Sequence, residues 1–289
     1  MKLVLLLAAP LLAQQQLDPF LERLSEEAEA FAVTAPKMVA AETLKHSGRK
    51  SIPRIRIGKK AVDPPLQLPL VTREIVSEFG YALMDGELHE FRRIVQVDGK
   101  KAGNRTRARL ELAQGMSSES DRKRKRMLQD FEKLGMIGAA TDFSQTILLF
   151  RRANLSRYAF RYSARNQIGG DPVSILVFRQ KTGDDGARIY HDKEMEVVPL
   201  EGEIWFRDSD SLPLRIITRA VTKEYGYDVL HAGETEYRLT RKGTLVPVSV
   251  RYTRTQEQTV MTENLFVYTD HQIFVVDTEI KFTAEEPIQ

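Results

Sequence analysis

The period of apolar and polar positions changes several times along the chain, and each change marks an element. Leu17, Phe20, Leu21, Leu24, Ala28 and Phe31 recur at helical spacing with Glu22, Arg23, Glu26, Glu27 and Glu29 between them. That spacing predicts an amphipathic helix laid on something apolar. Pro36 and the Ser47-Gly48 pair break the pattern. Residues 47–70, with Pro53, Pro64, Pro65 and Pro69, are too proline-rich for a central strand or a long helix and read as a connector, with one edge strand at Ile55 to Ile57. From Val71 the period becomes two. Ile75, Phe79, Tyr81 and Leu83 share a face, and after the Asp85-Gly86 turn Phe91, Val95 and Val97 do the same, up to a second turn at Asp98-Gly99. The expectation is a hairpin with one dry side and one wet side.

Residues 103–153 read as a helical insertion. Arg105 to Ala113 predicts a short helix, Ser118 to Asp121 fits a capping box ahead of the stripe Met127, Leu128, Phe131 and Leu134, and Phe143 to Phe150 is a short apolar segment. Beyond Arg157 the chain returns to strands. Tyr158, Phe160 and Tyr162 alternate, Val173 to Phe178 is a continuous β-rich run, and Ile204-Trp205-Phe206 leads through Asp208-Ser209-Asp210 into Leu214 to Val221. Val246, Val248, Val250 and Tyr252 alternate cleanly with Pro247, Ser249 and Arg251, and Leu265 to Tyr268 with Ile273 to Phe282 closes the chain. About nine strands, an N-terminal helix and one helical insertion predict a single α+β domain over 14–289. Its sheet is expected to be antiparallel, because such sheets tolerate a polar outer face.

Composition narrows the function. Of 289 residues, 42% are apolar and 29% charged, the balance of an ordinary globular domain. The 43 basic and 40 acidic residues nearly cancel to a net +3, so nothing global recruits nucleic acid. The absence of cysteine excludes disulfides, thiolate metal sites and a thiol nucleophile. Lys2, the apolar run Leu3 to Leu12, then Ala13 and three glutamines read as a signal peptide over 1–13, which predicts a periplasmic or secreted protein. The run is too short for a permanent span, which needs about 20 residues.

Candidate chemistry is sparse. Arg122, Lys123, Arg124, Lys125 and Arg126 are consecutive. On a helix turning roughly 100° per residue they encircle the axis instead of lining one groove. They read as a solvated helix start, or as the contact for an anionic surface or a cell-envelope protein partner. Asp192, Glu194 and Glu196 beside His191 place three carboxylates on one side of an extended chain, but without the glycine and carbonyl spacing of a cation loop they read as the polar face of a strand. There is no G-x-S-x-G, H-E-x-x-H, P-loop or G-x-G-x-x-G, so the expectation is a non-enzymatic protein without a cofactor. Asn104-Arg105-Thr106 fits a glycosylation sequon. Trp205, the one tryptophan, faces away from Ile204 and Phe206, so either it or that pair needs its own cover.

The layout of signal, helix and hairpin, with Val95-Gln96-Val97-Asp98-Gly99-Lys100, Gly202-Glu203-Ile204-Trp205-Phe206 and Leu212-Pro213-Leu214-Arg215, resembles a family of exported bacterial proteins. Its strand order over residues 70–282 is similar to the lipoprotein-carrier superfamily, the LolA and LppX-like half-barrels. The resemblance implies a curved sheet, a half-open barrel, wrapped around helices. It implies a concave face lined by Phe160, Phe178, Trp205 and Phe266, with Ile147 to Phe150, including Ile147 and Phe150 themselves, as a plug. The function expected is binding of a lipid or other apolar small molecule; the alternative is a cell-envelope scaffold that docks a partner through Arg122 to Arg126.

Overall fold

The computed structural model describes residues 8–49, 56–57, 60–61, 70–84, 86–115, 121–134, 142–181, 187–191, 194–224 and 226–274. Among the described residues three α-helices, α1 (Ala8–Thr34), α2 (Arg105–Gly115) and α3 (Asp121–Lys133), accompany fifteen strands in chain order. The first eight are β1 (Met38–Arg49), β2 (Arg56–Ile57), β3 (Lys60–Ala61), β4 (Leu70–Met84), β5 (Glu87–Val97), β6 (Lys100–Lys101), β7 (Tyr158–Ile168) and β8 (Asp171–Gln180). The rest are β9 (Ala187–His191), β10 (Glu194–Val198), β11 (Glu201–Arg207), β12 (Pro213–Glu224), β13 (Tyr227–Leu239), β14 (Leu245–Gln256) and β15 (Thr259–Ile273).

Eleven strands form one open sheet in the order β6-β5-β4-β1-β15-β14-β13-β12-β11-β8-β7, and β9 with β10 and β2 with β3 form two small ribbons. The fold is α+β with a curved antiparallel sheet, as the alternation predicts, but among the described residues the sheet has eleven strands and not nine. The long strands follow from β-branched and aromatic residues at every second position, punctuated by turns such as Asp98-Gly99, where both residues have positive φ (47° and 77°) and suit a two-residue hairpin.

The largest departure from expectation is β1. It falls in the stretch read as pattern-breaking, yet it lies inside the sheet and is paired on both sides: Glu42 stands opposite Ser77 of β4 and opposite Tyr268 of β15. Its twelve residues escape a periodicity reading because Glu42 and His46 occupy buried positions normally filled by apolar side chains.

The inner face of the sheet wraps α1 and the segment 142–150. Leu24, Ala28 and Phe31 of α1 are fully buried, as are Ile147 and Phe150. They share one core with Phe79, Tyr81, Leu176, Phe206, Ile216 and Phe266. Met127 and Phe131 of α3 join the same core. The opposite face is covered at one end by α2, where Leu112 packs with Val39, Ala82 and Phe91. The hairpin β4–β5 is therefore dry on both sides, not one. Phe91 faces α2, and Glu90 and Arg92 point into the main core together with Leu88.

Candidate functional site

The short apolar segment Phe143 to Phe150, at the end of the stretch read as a helical insertion, contains a tight 3-10 turn, Thr146–Phe150, followed by a second over Arg152–Arg157. Such turns have poor internal hydrogen-bond geometry and rarely persist unaided. This one is held by its surroundings. Phe143 sits over Gly233 of β13, where an added Cβ would lie 2.4 Å from the ring, so only glycine leaves room for it. Phe150 ends in an aromatic nest, with ring centroids 5.0 Å from Phe178, 5.2 Å from Tyr158 and 6.1 Å from Phe160.

Polar anchors surround these apolar contacts. Ser144 donates from its backbone N–H (2.8 Å) and its hydroxyl (2.5 Å) to Glu90 Oε1, and Tyr81 bonds the Ser144 hydroxyl at 2.7 Å. Tyr237 donates to the Ser144 carbonyl at 3.1 Å and accepts from the Ile147 N–H at 3.1 Å. Thr235 donates to the Phe143 carbonyl at 2.8 Å, and Gln145 Nε2 donates to the Leu88 carbonyl at 2.6 Å. Each of these bonds involves a side chain on at least one partner; the segment does not extend the sheet as a strand.

Beneath the segment lies a buried charge cluster. Arg92 Nε donates to both oxygens of Glu42 (2.8 and 2.9 Å), and Arg92 Nη2 donates to Glu90 Oε2 at 2.7 Å. The guanidinium lies between the rings of Phe79 and Phe266, at 5.2 and 5.0 Å from their centroids. Exposure is 0% for Glu42, 1% for Glu90 and 3% for Arg92. Among the described residues, Arg92 Nη1 is buried without a partner. Burial raises the Glu42 carboxyl above its ordinary value, with Arg92 opposing the rise. Burial likewise pushes the Tyr81 and Tyr237 hydroxyls up, so both remain neutral donors at physiological pH.

The six residues read as lining and plug do not all meet. Ile147, Phe150, Phe178 and Phe266 lie in the main core, and Phe160 packs partly buried against it. Trp205 is on the outer face, where its Nε1 donates to Glu203 at 3.1 Å and Arg215 lies over its ring at 5.0 Å. It is Ile204 and Phe206 that turn inward, both fully buried, so the outward tryptophan is covered by a guanidinium and not by a helix. A cavity of about 400 Å3 is lined by Phe160, Phe178 and Gly202 together with Arg161, Arg179 and Arg219.

Arg122, Lys123, Arg124 and Lys125 lie on α3, but their side chains are outside the described residues; Arg126 is exposed. Asp192 lies outside the described residues, and among those described no three His, Cys, Asp or Glu side chains group as a metal site. Asn104 accepts from the Arg107 N–H at 2.9 Å and so caps α2. Nothing in the sequence pattern singled out Glu42, Glu90, Arg92 and Ser144. The available signal was the pair Glu90 and Arg92 at a spacing of two beside Leu88, which places two charges on the side of a buried residue.

No protein-family model matches the chain, and no curated protein matches it. Among solved structures it is similar to an outer membrane lipoprotein-sorting protein domain from Vibrio parahaemolyticus, at 10% identity over 92% of this chain and 94% of that one, with a TM-score of 0.39. It is also similar to a DUF1329 family protein from Desulfovibrio piger (10% identity, 90% and 94% covered, TM-score 0.37). A third is a LolA superfamily protein from Nitrosomonas europaea (10% identity, 89% and 94% covered, TM-score 0.32).

Proposed function

We propose that this chain is a non-enzymatic, exported module that holds the apolar part of a lipid-like ligand on the inner face of its sheet, and that segment 142–157 is a plug occupying that place in the unliganded protein. The observation that carries the reading is the construction of the plug. Phe143, Ile147 and Phe150 contribute to the main core, yet they belong to short 3-10 turns and their lead-in, attached through side chains and not through a β ladder. Displacing such a piece breaks a handful of local bonds and leaves the eleven-strand ladder intact, while the aromatic wall it uncovers offers an acyl chain the same dispersion contacts. Export rests on the charged and apolar start over 1–13; residues 1–7 are outside the described residues, and cleavage after Ala13 leaves the buried positions of α1 in the mature chain. Among the described residues, no helix is long and apolar enough to cross a membrane.

The chain's lack of cysteine makes a clean test possible. Thr146 and Thr235 place their hydroxyls 3.4 Å apart, one on the plug and one on β13. In the double variant Thr146→Cys/Thr235→Cys, oxidation should lock the plug. Native mass spectrometry after incubation with a long-chain monoacylglycerol should then show an adduct for the reduced protein and none for the oxidised one. Equal adducts in both states, or none in either, would overturn the reading.

A second reading is favoured by the packing of α1, whose Leu24, Ala28 and Phe31 leave the inner face filled by the chain itself. In that case the fold is a scaffold, and Arg122 to Arg126 dock an envelope partner. Charge reversal across those five residues should then abolish partner capture without altering thermal stability; retained capture removes this alternative.

A further inference from the structure

The plug does more than fill space, because it satisfies a buried carboxylate. Glu90 Oε1 receives both donors of Ser144, the backbone N–H and the hydroxyl, while Oε2 receives Arg92. When Ser144 withdraws, Glu90 Oε1 loses both of those donors. Tyr81 loses its own partner in the same step, since its hydroxyl bonds that of Ser144, and Arg92 already divides itself between Glu42 and Glu90, so at most one of the two lost donors can be replaced from within the cluster. A buried carboxylate oxygen stripped of its donors is strongly unfavourable, more so than a neutral group. An apolar chain alone fills the space left by Phe143, Ile147 and Phe150 but supplies neither of the donors that Ser144 takes away.

The cluster also has a sign. Two carboxyls, Glu42 and Glu90, face one guanidinium, and all three are at most 3% exposed. Whether or not Glu42 is ionised, such a centre has no surplus positive charge to hold an anionic head, and its free carboxylate oxygen calls for a neutral or cationic donor. In the same cluster Arg92 Nη1 is, among the described residues, a buried donor without a partner, and Tyr237 loses the carbonyl it donates to when Ser144 leaves. A head group that replaces Ser144 must therefore donate to Glu90 and accept from Arg92 or Tyr237, the same pairing that a serine residue supplies with its hydroxyl, N–H and carbonyl.

Resting on the plug reading above, we infer that the ligand is an amphiphile and not a plain hydrocarbon or a fatty-acid anion: its polar head carries at least one hydroxyl, amide or ammonium donor beside a carbonyl, and Glu90 selects it. Ser144 is thus a stand-in for that head group, built into the chain.

Two probes that share one acyl chain and one ester carbonyl isolate the donor. A long-chain monoacylglycerol has free hydroxyls, and the methyl ester of the same acid has none. By titration followed with native mass spectrometry, the wild-type protein should bind the monoacylglycerol at least about ten-fold more tightly, the scale set by an unmade hydrogen bond to a charged group. In Glu90→Gln that ratio should fall toward one. Ser144→Ala keeps Glu90 and weakens the plug, so it should tighten both probes while preserving their ratio; if Glu90→Gln does not fold, the wild-type ratio itself decides, because equal binding of the two probes overturns the selection. Equal binding of the two probes by the wild type, or a ratio unchanged in Glu90→Gln, would overturn the selection by Glu90 and leave the plug standing. Binding of neither probe would overturn the plug reading itself, and this inference with it.

Discussion

Arg92 illustrates how much one inward residue determines. It is almost wholly enclosed, bonds two carboxyls and lies over two aromatic rings. Arg92→Leu would strand Glu42 and Glu90 without a cation, and removing one partner of a buried pair costs about 3–5 kcal/mol. Glu42→Gln instead leaves Arg92 paired with Glu90 and removes a carboxyl whose charged form burial already disfavours. Its cost should be clearly smaller than that of Arg92→Leu, so urea midpoints of the two variants should differ; similar midpoints would mean that the cluster does not carry the site's electrostatics. His46 supplies a second test. It bonds Asn264 at 2.6 Å, and burial lowers its pKa from the ordinary 6.5. Its folded form stays neutral where the unfolded imidazole already takes up a proton, so stability should be flat above about pH 6.5 and fall as the pH drops below it. His46→Gln should reduce that fall in urea denaturation; an unchanged slope assigns it elsewhere, first to His271, which burial also lowers. None of these residues was legible in the sequence, because a polar residue at an inward position looks like a polar residue at an outward one until the register is fixed.

At the level of elements, legibility followed periodicity. β12 and β14 were readable, from Leu214 to Val221 and from the Val246 to Tyr252 alternation, and burial alternates along β12, β13 and β15. The two strands expected at Leu265 to Tyr268 and Ile273 to Phe282 are instead one, β15, with residues 275–282 outside the described residues. Two elements were misread for different reasons. β1 has alanines and charges where an expected strand has β-branched residues, and its status comes from being paired on both sides, a long-range property. In β5 the conspicuous Phe91 belongs to the face under α2 while Val97, expected on the same side, packs against the main core past a register shift, so the apparent wet side is the one carrying Glu90 and Arg92 into the core. The plug was visible as an apolar segment, but its seat at Gly233 was not, since that glycine lies 90 residues downstream of Phe143 in an otherwise ordinary strand. Gly233→Ala places a Cβ against the Phe143 ring with Thr218 Oγ1 3.1 Å away, and overpacking of this kind costs roughly 1–3 kcal/mol. Because the ring belongs to the plug and the glycine to the sheet, relief should come from the plug. Amide exchange at 143–150 should accelerate while exchange in β13 and β14 stays slow; uniform acceleration of both would show that the segment is an inseparable part of the core.

The whole molecule depends on β1 for its unity. On one side β1 pairs with β4, which leads through β5 to the edge at β6; on the other it pairs with β15, the end of the run that extends through β14, β13, β12, β11 and β8 to β7. Among the described residues the two wings have no other ladder between them. One edge is guarded by side chains and loop amides that bond β5, among them Asp142 on the Glu90 N–H and Ala102 on the Val95 carbonyl. The other, β7, has a register shift between Tyr162 and Ala164 and exposed Arg161 and Arg165, devices that discourage edge pairing. A sheet joined through a single central strand should therefore unfold as one unit only if β1 and the core on α1 couple the wings. Trp205 reports on the far wing from β11, and the β4–β5 amides report on the near one. Their urea transitions should coincide in the wild type. Thr43→Pro removes a donor at a position paired with both Val76 and Val267, where proline is not tolerated in a central strand. It should abolish both signals together. If the Trp205 transition survived while the β4–β5 amides exchanged freely, the wings would be separate folding units, and a plug that spans them, from Glu90 on β5 to Thr235 on β13, would be holding the two together instead of resting on a finished trough.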